Sequence, residues 1–483
     1  MEITRNYVDG NWVTSESGRL LDIEDPGTGE IISRVPASTR NEVDSAVKSA
    51  ARAFEEWKRV PPTERVSYLF KLKILLEEHL EDIATTTTRE HGKTLDESRG
   101  DTRRLFENVD AALGIPSLMQ GNIQWRITRD IDEYFVREPL GVFTCISPFN
   151  FPGMIPFWYL PAAVALGNVI IIKPSEVTPL TMSLIFELID EAGFPAGVAN
   201  LVHGDKETAE ALLEHPGIAG VCSVSSTSTA RHIYARCGQH GKRSLCQAGA
   251  KNYLVVMPDA ELTETVPNII GSFFGNSGQR CLAGGNLVVV GENYDKLLEM
   301  VIDEVSRIKV GYGLESGVTM GPVISRQARQ RIEGYIAGGI AEGAELLVDG
   351  RGITVEQYPG GHYIGPSILA NANPNMDICK DEIFGPVMPV IRCQHLDEAI
   401  RMINDQTRYG NTASIFTSSG KASELFQREV NCGMIGINIG VVAPMAWFPF
   451  GGKRDSFFGV LHGQLPDVLD FFTDKKVVIQ RWW

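Results

Sequence analysis

Several short motifs that would assign this chain to a common class are missing from its sequence. None of its eight cysteines forms a C-x-x-C pair, which argues against a zinc ribbon or a thioredoxin-like redox motif, so no metal is expected. No G-x-G-x-x-G segment follows a predicted strand, so the ordinary Rossmann fingerprint is absent as well. Basic residues are scarce: 45 Lys and Arg face 60 Asp and Glu, and the net charge of −15 disfavours a nucleic acid or an anionic membrane as the main partner.

Neither an export signal nor a membrane span is expected from the sequence. The first residues contain no apolar core of the kind found in secretory signal peptides, and eight cysteines are few for 483 residues. We therefore expect reduced thiols and a cytoplasmic protein. The longest stretch without a charged side chain lies between Glu138 and Lys173, but prolines, Asn150 and Asn168 interrupt it. A buried strand–helix–strand unit explains this stretch better than a membrane span does.

The middle of the chain alternates between predicted strands and helices. The strands are expected at 141–147, 168–172, 199–203, 218–224 and 243–246, and the helices at 155–166, 178–193, 208–215 and 226–239. Thr178 followed by Pro179 predicts the N-cap and first position of one of these helices. Such alternation predicts an α/β fold with a parallel, doubly wound sheet, whose ligands bind at the carboxyl ends of the strands.

The remaining sequence predicts a second α/β domain and an extended arm. Alternation resumes after Lys251, whereas the first hundred residues are expected to be mostly charged helix, at 42–57 and 62–91. The first domain is therefore assigned to residues 1–123 and 138–250, and the second to 251–445. Residues 124–137 and 465–483 fit neither sheet and are expected to form a small β arm. An unpaired apolar arm favours aggregation, so we expect it to pair in a homodimer or homotetramer.

Cys281 is the strongest candidate for a nucleophile. It lies in a glycine-rich turn between a predicted helix and a predicted strand, directly after Arg280. A guanidinium neighbour favours the thiolate, and a turn exposes the sulfur. The alternative is that Cys281 is a small buried apolar residue, which is the usual role of a single cysteine. The glycines at 275 and 278 and the adjacent arginine favour the nucleophile.

Other polar residues lie where predicted strands end. Asn150 is in an apolar, proline-rich turn, where its amide could stabilise an oxyanion or simply shape the turn. Lys173 and Glu176 follow a strand and could hold a ribose or a phosphate, or be solvated loop charges. Ser226 starts a helix, as either an ordinary N-cap or part of a phosphate site.

Several segments together make the sequence resemble the aldehyde dehydrogenase superfamily. They are 275–281 (GNSGQRC), 173–176 (KPSE), 382–386 (EIFGP) and 449–453 (PFGGK). Within that superfamily the chain is most similar to the CoA-acylating methylmalonate-semialdehyde dehydrogenase branch, through segments 148–152, 249–252, 443–449 and 455–462. The similarity covers essentially the whole chain. It implies the aldehyde dehydrogenase fold, with an NAD-binding domain, a catalytic domain and an oligomerisation arm.

The resemblance also implies roles for individual residues. Cys281 matches the nucleophile that forms a thiohemiacetal and then a thioester, and Asn150 matches the side chain of the oxyanion hole. Arg104 and Arg280 match the arginines that bind the carboxylate of an acidic semialdehyde; alone, Arg104 could be a helix-surface charge. The positions that match NAD contacts are Ser147, Phe149, Lys173, Glu176, Ser226, Ala248 and Glu382. A carboxylate at Glu176 favours NAD over NADP, because it would repel a 2′-phosphate.

The sequence departs from the superfamily pattern in ways that affect the predicted chemistry. Gln247 stands where hydrolytic members have a glutamate that activates water, and an amide cannot act as a general base. The semialdehyde branch lacks that glutamate too and uses coenzyme A as the acyl acceptor. Ser225 and Ala230 replace usual glycines at the phosphate side, and Ala248 replaces a cofactor-contact threonine. Gly284 and Gly285 also differ from the branch.

Three other functions are compatible with parts of the sequence. A hydrolytic aldehyde dehydrogenase would release the free acid and would not need Arg104 for its selectivity. A non-catalytic, ligand-binding relative would explain the altered helix start around Ser225 and the alanine at 248. A cysteine peptidase is disfavoured, because no histidine lies near Cys281 in the sequence. We expect an NAD-dependent, CoA-acylating oxidation of malonate or methylmalonate semialdehyde.

Overall fold

The N-terminal segment contains strands that the sequence analysis missed. A computed structural model describes residues 3–483 of the chain. Its first elements are β1 (Asn6–Val8), β2 (Asn11–Val13), β3 (Leu20–Asp25), β4 (Glu30–Pro36), α1 (Arg40–Trp57), α2 (Pro62–Glu78), α3 (Leu80–His91), α4 (Leu95–Leu113) and α5 (Ile115–Leu118). The expectation of mostly helix was wrong for β1–β4. Exposed charged residues, such as Asp22 and Arg34 in an ion pair of 2.7 Å, interrupt the apolar pattern of the β3–β4 hairpin.

The next segment builds the first large sheet. Its elements are β5 (Ile123–Thr128), β6 (Ile131–Pro139), β7 (Val142–Ile146), α6 (Met154–Phe157), α7 (Leu160–Ala165), β8 (Val169–Lys173), α8 (Leu180–Glu191), β9 (Ala199–Leu201), α9 (Lys206–Glu214), β10 (Ile218–Val224), α10 (Thr227–Gln239) and β11 (Arg243–Gln247). The strands β9-β8-β7-β10-β11 are neighbours in that order and are all parallel, while β1 and β2 extend the β9 edge in antiparallel fashion. The predicted doubly wound α/β sheet is therefore present.

The second half of the chain builds another mixed sheet. Its elements are β12 (Asn252–Val256), α11 (Leu262–Phe274), β13 (Gly284–Val290), α12 (Tyr294–Val305), α13 (Arg326–Ala341), β14 (Glu345–Val348), β15 (Ser367–Ala370), α14 (Asp377–Lys380), β16 (Val387–Cys393), α15 (Leu396–Asp405), β17 (Tyr409–Gly410), β18 (Thr412–Phe416), α16 (Gly420–Glu429), β19 (Met434–Ile437), β20 (Lys453–Arg454), β21 (Phe457–Phe458), α17 (Asp467–Phe471) and β22 (Thr473–Arg481). The order is β14-β15-β16-β13-β12-β18-β19, and only β14 runs antiparallel to its neighbour. Strand β21 instead pairs with β11 of the first sheet.

A separate three-stranded sheet joins the two segments that were expected to form the arm. Strand β22 pairs with β6 along its whole length, and β5 pairs with the other edge of β6. Trp125, Ile127, Val477 and Ile479 are exposed on this sheet. The division of the chain into domains at residues 123, 138, 250 and 445 stays a prediction.

The apolar segment between Glu138 and Lys173 forms buried strands with two short helices between them. The predicted helix at 155–166 was wrong as a single element, because it is divided into α6 and α7. Pro161 lies in the first turn of α7, where its missing N–H is tolerated, so a new helix begins there. No helix within residues 3–483 combines the length and the apolar character needed to cross a membrane.

The N-terminus of α8 is capped by a residue from another helix. The predicted N-cap Thr178 was wrong: its hydroxyl donates to the Phe149 carbonyl at 3.2 Å, and Pro179 occupies the cap position. The main-chain N–H groups of Leu180 and Thr181 donate instead to the buried carboxyl of Glu90, at 2.6 and 3.0 Å. A carboxylate at a helix N-terminus is favoured by the helix dipole. This contact between residues distant in the sequence links α3 to α8.

Candidate active site

The carboxyl ends of the parallel strands form a deep cleft. Ser147 follows β7, Lys173 ends β8, Ser226 follows β10 by two residues and Ala248 follows β11. Since β7 lies between β8 and β10, and β11 lies beside β10, these ends meet at one edge of the sheet. The cleft has a volume of about 1350 Å³. Its lining includes all the residues that were predicted to contact NAD: Ser147, Phe149, Lys173, Glu176, Ser226, Ala248 and Glu382.

Cys281 lines both this cleft and a second cavity. The second cavity, here called the substrate pocket, has a volume of about 670 Å³ and contains Arg104 and Arg280. Its apolar wall is formed by Phe151, Met154, Trp158, Leu282, Val441 and Phe450. A sulfur in this position can react with a molecule in the pocket while another molecule occupies the cleft. The structure therefore brings together the residues that were predicted for nucleophilic and for anion-binding roles.

The turn before Cys281 has an unusual backbone that its neighbours support. Asn276 and Ser277 adopt positive φ angles of 54° and 52°, which non-glycine residues rarely do. The main-chain N–H of Asn276 donates to a carboxylate oxygen of Glu97 at 2.5 Å. A Cβ at Gly278 would lie 2.2 Å from the main-chain oxygen of Gly385, so only glycine fits there. These contacts fix the direction in which the chain reaches the cysteine.

Two asparagines that the sequence analysis did not select hold the cysteine backbone. The side-chain nitrogens of Asn252 and Asn411 donate to the carbonyl oxygen of Cys281 at 2.9 and 3.0 Å. Asn252 begins β12 and Asn411 directly precedes β18, which are neighbours in the second sheet. The only signal for Asn252 was its place in a segment typical of the family branch. Residues on a rigid sheet thus orient the candidate nucleophile.

The charge of Arg280 favours the thiolate of Cys281, as predicted, but burial of the thiol outweighs it. Burial, with a smaller contribution from the Glu382 carboxylate, raises the pKa of the Cys281 thiol to about 12. The main-chain N–H groups of Cys281 and Leu282 and the charge of Arg280 act in the opposite direction but are outweighed. The thiol form therefore dominates at neutral pH in the protein without ligands.

Alkylation of Cys281 is expected to reflect this raised pKa. Because the thiolate fraction grows tenfold per pH unit below the pKa, the rate with iodoacetamide should rise about tenfold per unit from pH 7 to pH 10. Mass spectrometry of the peptide that contains Cys281 measures the rate, and a Cys393→Ala protein, whose change is remote from both cavities, serves as the control. A rate that levels off near pH 7 would contradict the raised pKa.

Asn150 is buried beside Cys281, and two hydrogen bonds hold it. Its Nδ2 donates to the carbonyl of Gln279 at 3.0 Å, and its main-chain carbonyl accepts from Lys93 Nζ at 2.7 Å. An amide nitrogen carries two hydrogens, so one remains for an oxygen bound in the cleft. The geometry is compatible with the predicted oxyanion role, which stays a prediction.

Lys173 and Glu176 form a short ion-paired loop at the cleft. The ammonium of Lys173 donates to the Pro174 carbonyl at 3.0 Å and lies 3.4 Å from Oε2 of Glu176. Burial lowers the pKa of Lys173, whereas the Glu176 carboxylate opposes this change. The Glu176 side chain is about half exposed, at 48 %. Its carboxylate can therefore accept hydrogen bonds from a hydroxyl-bearing ligand.

The cleft continues to the N-terminus of α10 and to Glu382. Ser226 caps α10, with its hydroxyl accepting from the main-chain N–H of Thr229 at 3.4 Å, so this helix has an ordinary serine N-cap. Glu382 accepts a hydrogen bond from the N–H of Ala250 at 2.9 Å, and burial raises the pKa of its carboxyl to about 7. A Cβ at Gly249 would lie 2.6 Å from Oε2 of Glu382, so a larger residue there would displace this carboxylate.

Both arginines of the substrate pocket already have acidic partners. Arg104 lies 2.7 Å from Glu107 and also donates to the Pro444 carbonyl at 2.5 Å. Arg280 lies 3.3 Å from Glu97, and its other terminal nitrogen is 3.4 Å from a main-chain carbonyl. The contacts of Arg280 are long for charged hydrogen bonds, so an incoming carboxylate can compete for this guanidinium. Arg104 is not merely a helix-surface charge, because it reaches into the pocket.

Gln247 and Arg331 complete the site. Gln247 is only 2 % exposed, and its Nε2 donates to the Phe450 carbonyl at 2.8 Å, so the amide is part of the packed interior. Arg331, on α13, lines the cleft opposite the strand ends and interacts electrostatically with Glu382. No local sequence signal pointed to Arg331, because it comes from a helix far along the chain.

Comparison with known proteins gives a consistent family assignment. The family model described as "Aldehyde dehydrogenase family" matches residues 12–478. Malonate-semialdehyde dehydrogenase 3 of Geobacillus kaustophilus is 43 % identical over 478 residues, which cover 99 % of this chain and 98 % of the relative.

Solved structures agree with this assignment. The crystal structure of methylmalonate-semialdehyde dehydrogenase from Oceanimonas doudoroffii matches with a TM-score of 0.98 and 38 % identity, and it covers 100 % of this chain and 99 % of that one. A Sinorhizobium meliloti protein assigned as a methylmalonate-semialdehyde dehydrogenase, complexed with NAD, also has a TM-score of 0.98 at 38 % identity, with 99 % and 98 % of the two chains covered.

Proposed function

Because this chain belongs to the aldehyde dehydrogenase family, we propose that it oxidises malonate or methylmalonate semialdehyde with NAD and transfers the acyl group to coenzyme A. The substrate carboxylate would leave as CO2 and a proton from water would take its place on the α-carbon, so the products would be acetyl-CoA or propanoyl-CoA. The observation that carries the proposal is the position of Cys281, which lines both the pocket with two arginines and the cleft at the strand ends.

The residues of the cleft fit a dinucleotide. The Ser147 hydroxyl is buried there without a hydrogen-bond partner among the described residues, and a buried polar atom of this kind fits a ligand that supplies one. Lys173 and Glu176 would hold the adenosine ribose, the N-terminus of α10 at Ser226 the pyrophosphate, and Glu382 the nicotinamide ribose. When bound, NAD would supply a hydride acceptor and a positive charge near the cysteine.

The residues of this chain would carry out the acyl chemistry. The sulfur of Cys281 would bond to the aldehyde carbon and form a thiohemiacetal. The amide of Asn150 and the main-chain N–H of Cys281 would stabilise the negative charge on the oxygen. After loss of hydride the acyl group would remain on Cys281 as a thioester, so the cysteine divides a difficult step into two easier ones.

The absence of a general base at position 247 favours a thiol over water as the acceptor of the acyl group. Gln247 stands where hydrolytic relatives carry a glutamate, and its buried amide cannot take a proton from water. A thiol is already a strong nucleophile once it is ionised, so coenzyme A needs less help from the protein than water does. This supports acyl transfer to coenzyme A rather than hydrolysis.

Removal of the Arg104 charge is expected to weaken selection of an acidic substrate. An Arg104→Met protein should raise KM for malonate semialdehyde about 10- to 100-fold, because a charge-assisted hydrogen bond is lost, while KM for propanal should change little. Steady-state NADH formation with both aldehydes measures this difference. If the enzyme is hydrolytic and has no site for the substrate carboxylate, the ratio of KM for malonate semialdehyde to KM for propanal should be the same in the variant and in the unmodified protein.

A substrate panel tests the proposed function itself. Malonate semialdehyde, methylmalonate semialdehyde and neutral aldehydes of similar size are each assayed with NAD and coenzyme A, and the thioester product is identified by mass spectrometry. We expect acetyl-CoA or propanoyl-CoA from the acidic substrates, with the highest kcat/KM. Free carboxylic acid as the only product would overturn the acyl transfer, and absence of NADH from every aldehyde would favour a non-catalytic relative.

The proposal also includes the location and the oligomeric state of the enzyme. We place it in the cytoplasm as a homodimer or homotetramer assembled through the three-stranded sheet of β22, β6 and β5. This sheet exposes Trp125, at 71 %, together with Val477 and Ile479, at 63 % each. Such apolar area on a monomer is typical of an interface.

A further inference from the structure

An ion pair between a fully buried lysine and a partly exposed aspartate lies at the substrate pocket and has no part in the reaction described so far. Lys93 lies in the turn between α3 and α4, and its side chain is 0 % exposed. Its ammonium donates to the carboxylate of Asp101 and, at 2.7 Å, to the main-chain carbonyl of Asn150, and it lies 4.3 Å from the ring centroid of Phe151. These three contacts match the three hydrogens of an ammonium group.

One lysine and two arginines around the substrate pocket are each paired with a carboxylate. The pairs are Lys93 with Asp101, Arg104 with Glu107, and Arg280 with Glu97. Of the three carboxylates, Asp101 lines the pocket wall itself, next to both arginines and Cys281. Without Lys93, the pocket would therefore have a net negative charge at the wall that an anionic substrate has to pass.

The turn that carries Lys93 is rigidly packed. Gly92 has a φ of +94°, and a Cβ there would lie 2.7 Å from Pro322. A Cβ at Gly313 would lie 2.3 Å from the carbonyl oxygen of Lys93, so the 311–322 loop is pressed against the turn. The ammonium is consequently held at a fixed position between Asp101 and the backbone of Asn150.

We propose that Lys93 is a specificity-determining and positioning residue for the reaction. It neutralises Asp101, so that a substrate carboxylate can approach Arg104 and Arg280, and it anchors the main chain of Asn150, so that the amide faces the nucleophile. The inference rests on the proposed acidic substrate. A purely structural role is a weaker explanation, because a buried ion pair adds little stability compared with well-packed apolar residues.

Three variants separate the two parts of the role. Lys93→Met removes the charge but keeps a long side chain, Asp101→Asn removes the acidic partner, and the double variant removes both charges. For each protein, kcat and KM are measured with malonate semialdehyde and with propanal, in the presence of NAD and coenzyme A. The assays are run at pH 8.5, since burial raises the pKa of Asp101 and its carboxyl has to stay ionised once Lys93 is removed.

The expected results concern the ratio of kcat/KM for the acidic aldehyde to that for the neutral one. In Lys93→Met this ratio should fall about tenfold or more, because an unpaired carboxylate repels the substrate. In Asp101→Asn it should rise, and in the double variant it should return to within about threefold of the unmodified protein. The kcat for both aldehydes should stay low in the double variant, since the anchor of Asn150 is still missing.

Two outcomes would overturn the inference. One is an acid-to-neutral ratio in Asp101→Asn that stays at the unmodified value or falls, and this test holds even if Lys93→Met fails to fold. The other is a lowered ratio in Lys93→Met that the second substitution does not restore. If the unmodified protein itself shows no preference for malonate semialdehyde over propanal, the proposed function has failed, and the two failures are thus distinguished. Thermal unfolding of each variant with NAD shows which proteins are folded.

Discussion

Replacement of Cys281 by serine is expected to lower kcat by at least about 10⁴-fold with malonate semialdehyde, NAD and coenzyme A. A serine hydroxyl ionises far less readily than a thiol, and Gln247 is an amide that cannot take its proton. The substitution hardly changes the volume of the side chain, so both cavities should keep their shape. NADH absorbance measures the loss, and the thermal shift produced by NAD should stay as in the unmodified protein.

The other cysteines provide a matched control for this experiment. Cys393 ends β16 and is buried away from both cavities, so Cys393→Ala should retain kcat within about twofold while losing some stability. If Cys281→Ser kept more than a few per cent of the activity, Cys281 would not be the nucleophile. A similar loss in both variants would point to a general effect of cysteine replacement on folding.

Removal of the Asn150 amide is expected to lower kcat about 10²- to 10³-fold with little change in KM. The hydrogen bond from the amide to the oxygen becomes stronger when negative charge develops on that oxygen, so its loss affects the transition state more than the bound substrate. Asn150→Ala also leaves the Gln279 carbonyl without the hydrogen bond of 3.0 Å that it accepts here. Pre-steady-state NADH formation shows whether the loss falls on thioester formation, as the proposed role requires.

Asn200→Ala is a suitable control for the Asn150 variant. Asn200 is a buried asparagine in β9 that donates to the Gly197 carbonyl at 2.9 Å, so its replacement also removes a buried amide. We expect it to lower the unfolding temperature without lowering kcat. Equal kcat losses in the two variants, or a change confined to KM in Asn150→Ala, would contradict an oxyanion role.

Local sequence patterns predicted the parallel sheets well. Strand β10 begins and ends where the apolar pattern predicted, at 218 and 224, because a buried strand has a strong local pattern. The order of strands and helices also indicated where ligand-binding residues lie, since the ends of neighbouring parallel strands meet at one edge. For this reason Asn150, Lys173 and Ser226 could be predicted to lie close together.

Features that depend on distant contacts could not be predicted from local patterns. Glu90 caps α8 from another helix, and Asn411 holds the backbone of Cys281 from 130 positions further along the chain. The local sequence pattern does not single out Lys93, although its side chain is fully buried. The pKa of Cys281 was misjudged for the same reason: the adjacent arginine is visible in the sequence, whereas burial and the Glu382 carboxylate are not.

The acyl acceptor is tested most directly by rapid mixing of the protein with NAD and malonate semialdehyde, with and without coenzyme A, while NADH is recorded. Without coenzyme A we expect a burst of no more than one NADH per active site and then turnover slower by at least about 100-fold, because the Cys281 thioester has no efficient acceptor. Addition of coenzyme A should restore steady turnover and give acetyl-CoA in a 1:1 ratio to NADH. Steady NADH formation at the full rate without coenzyme A, with a free acid as product, would contradict the account.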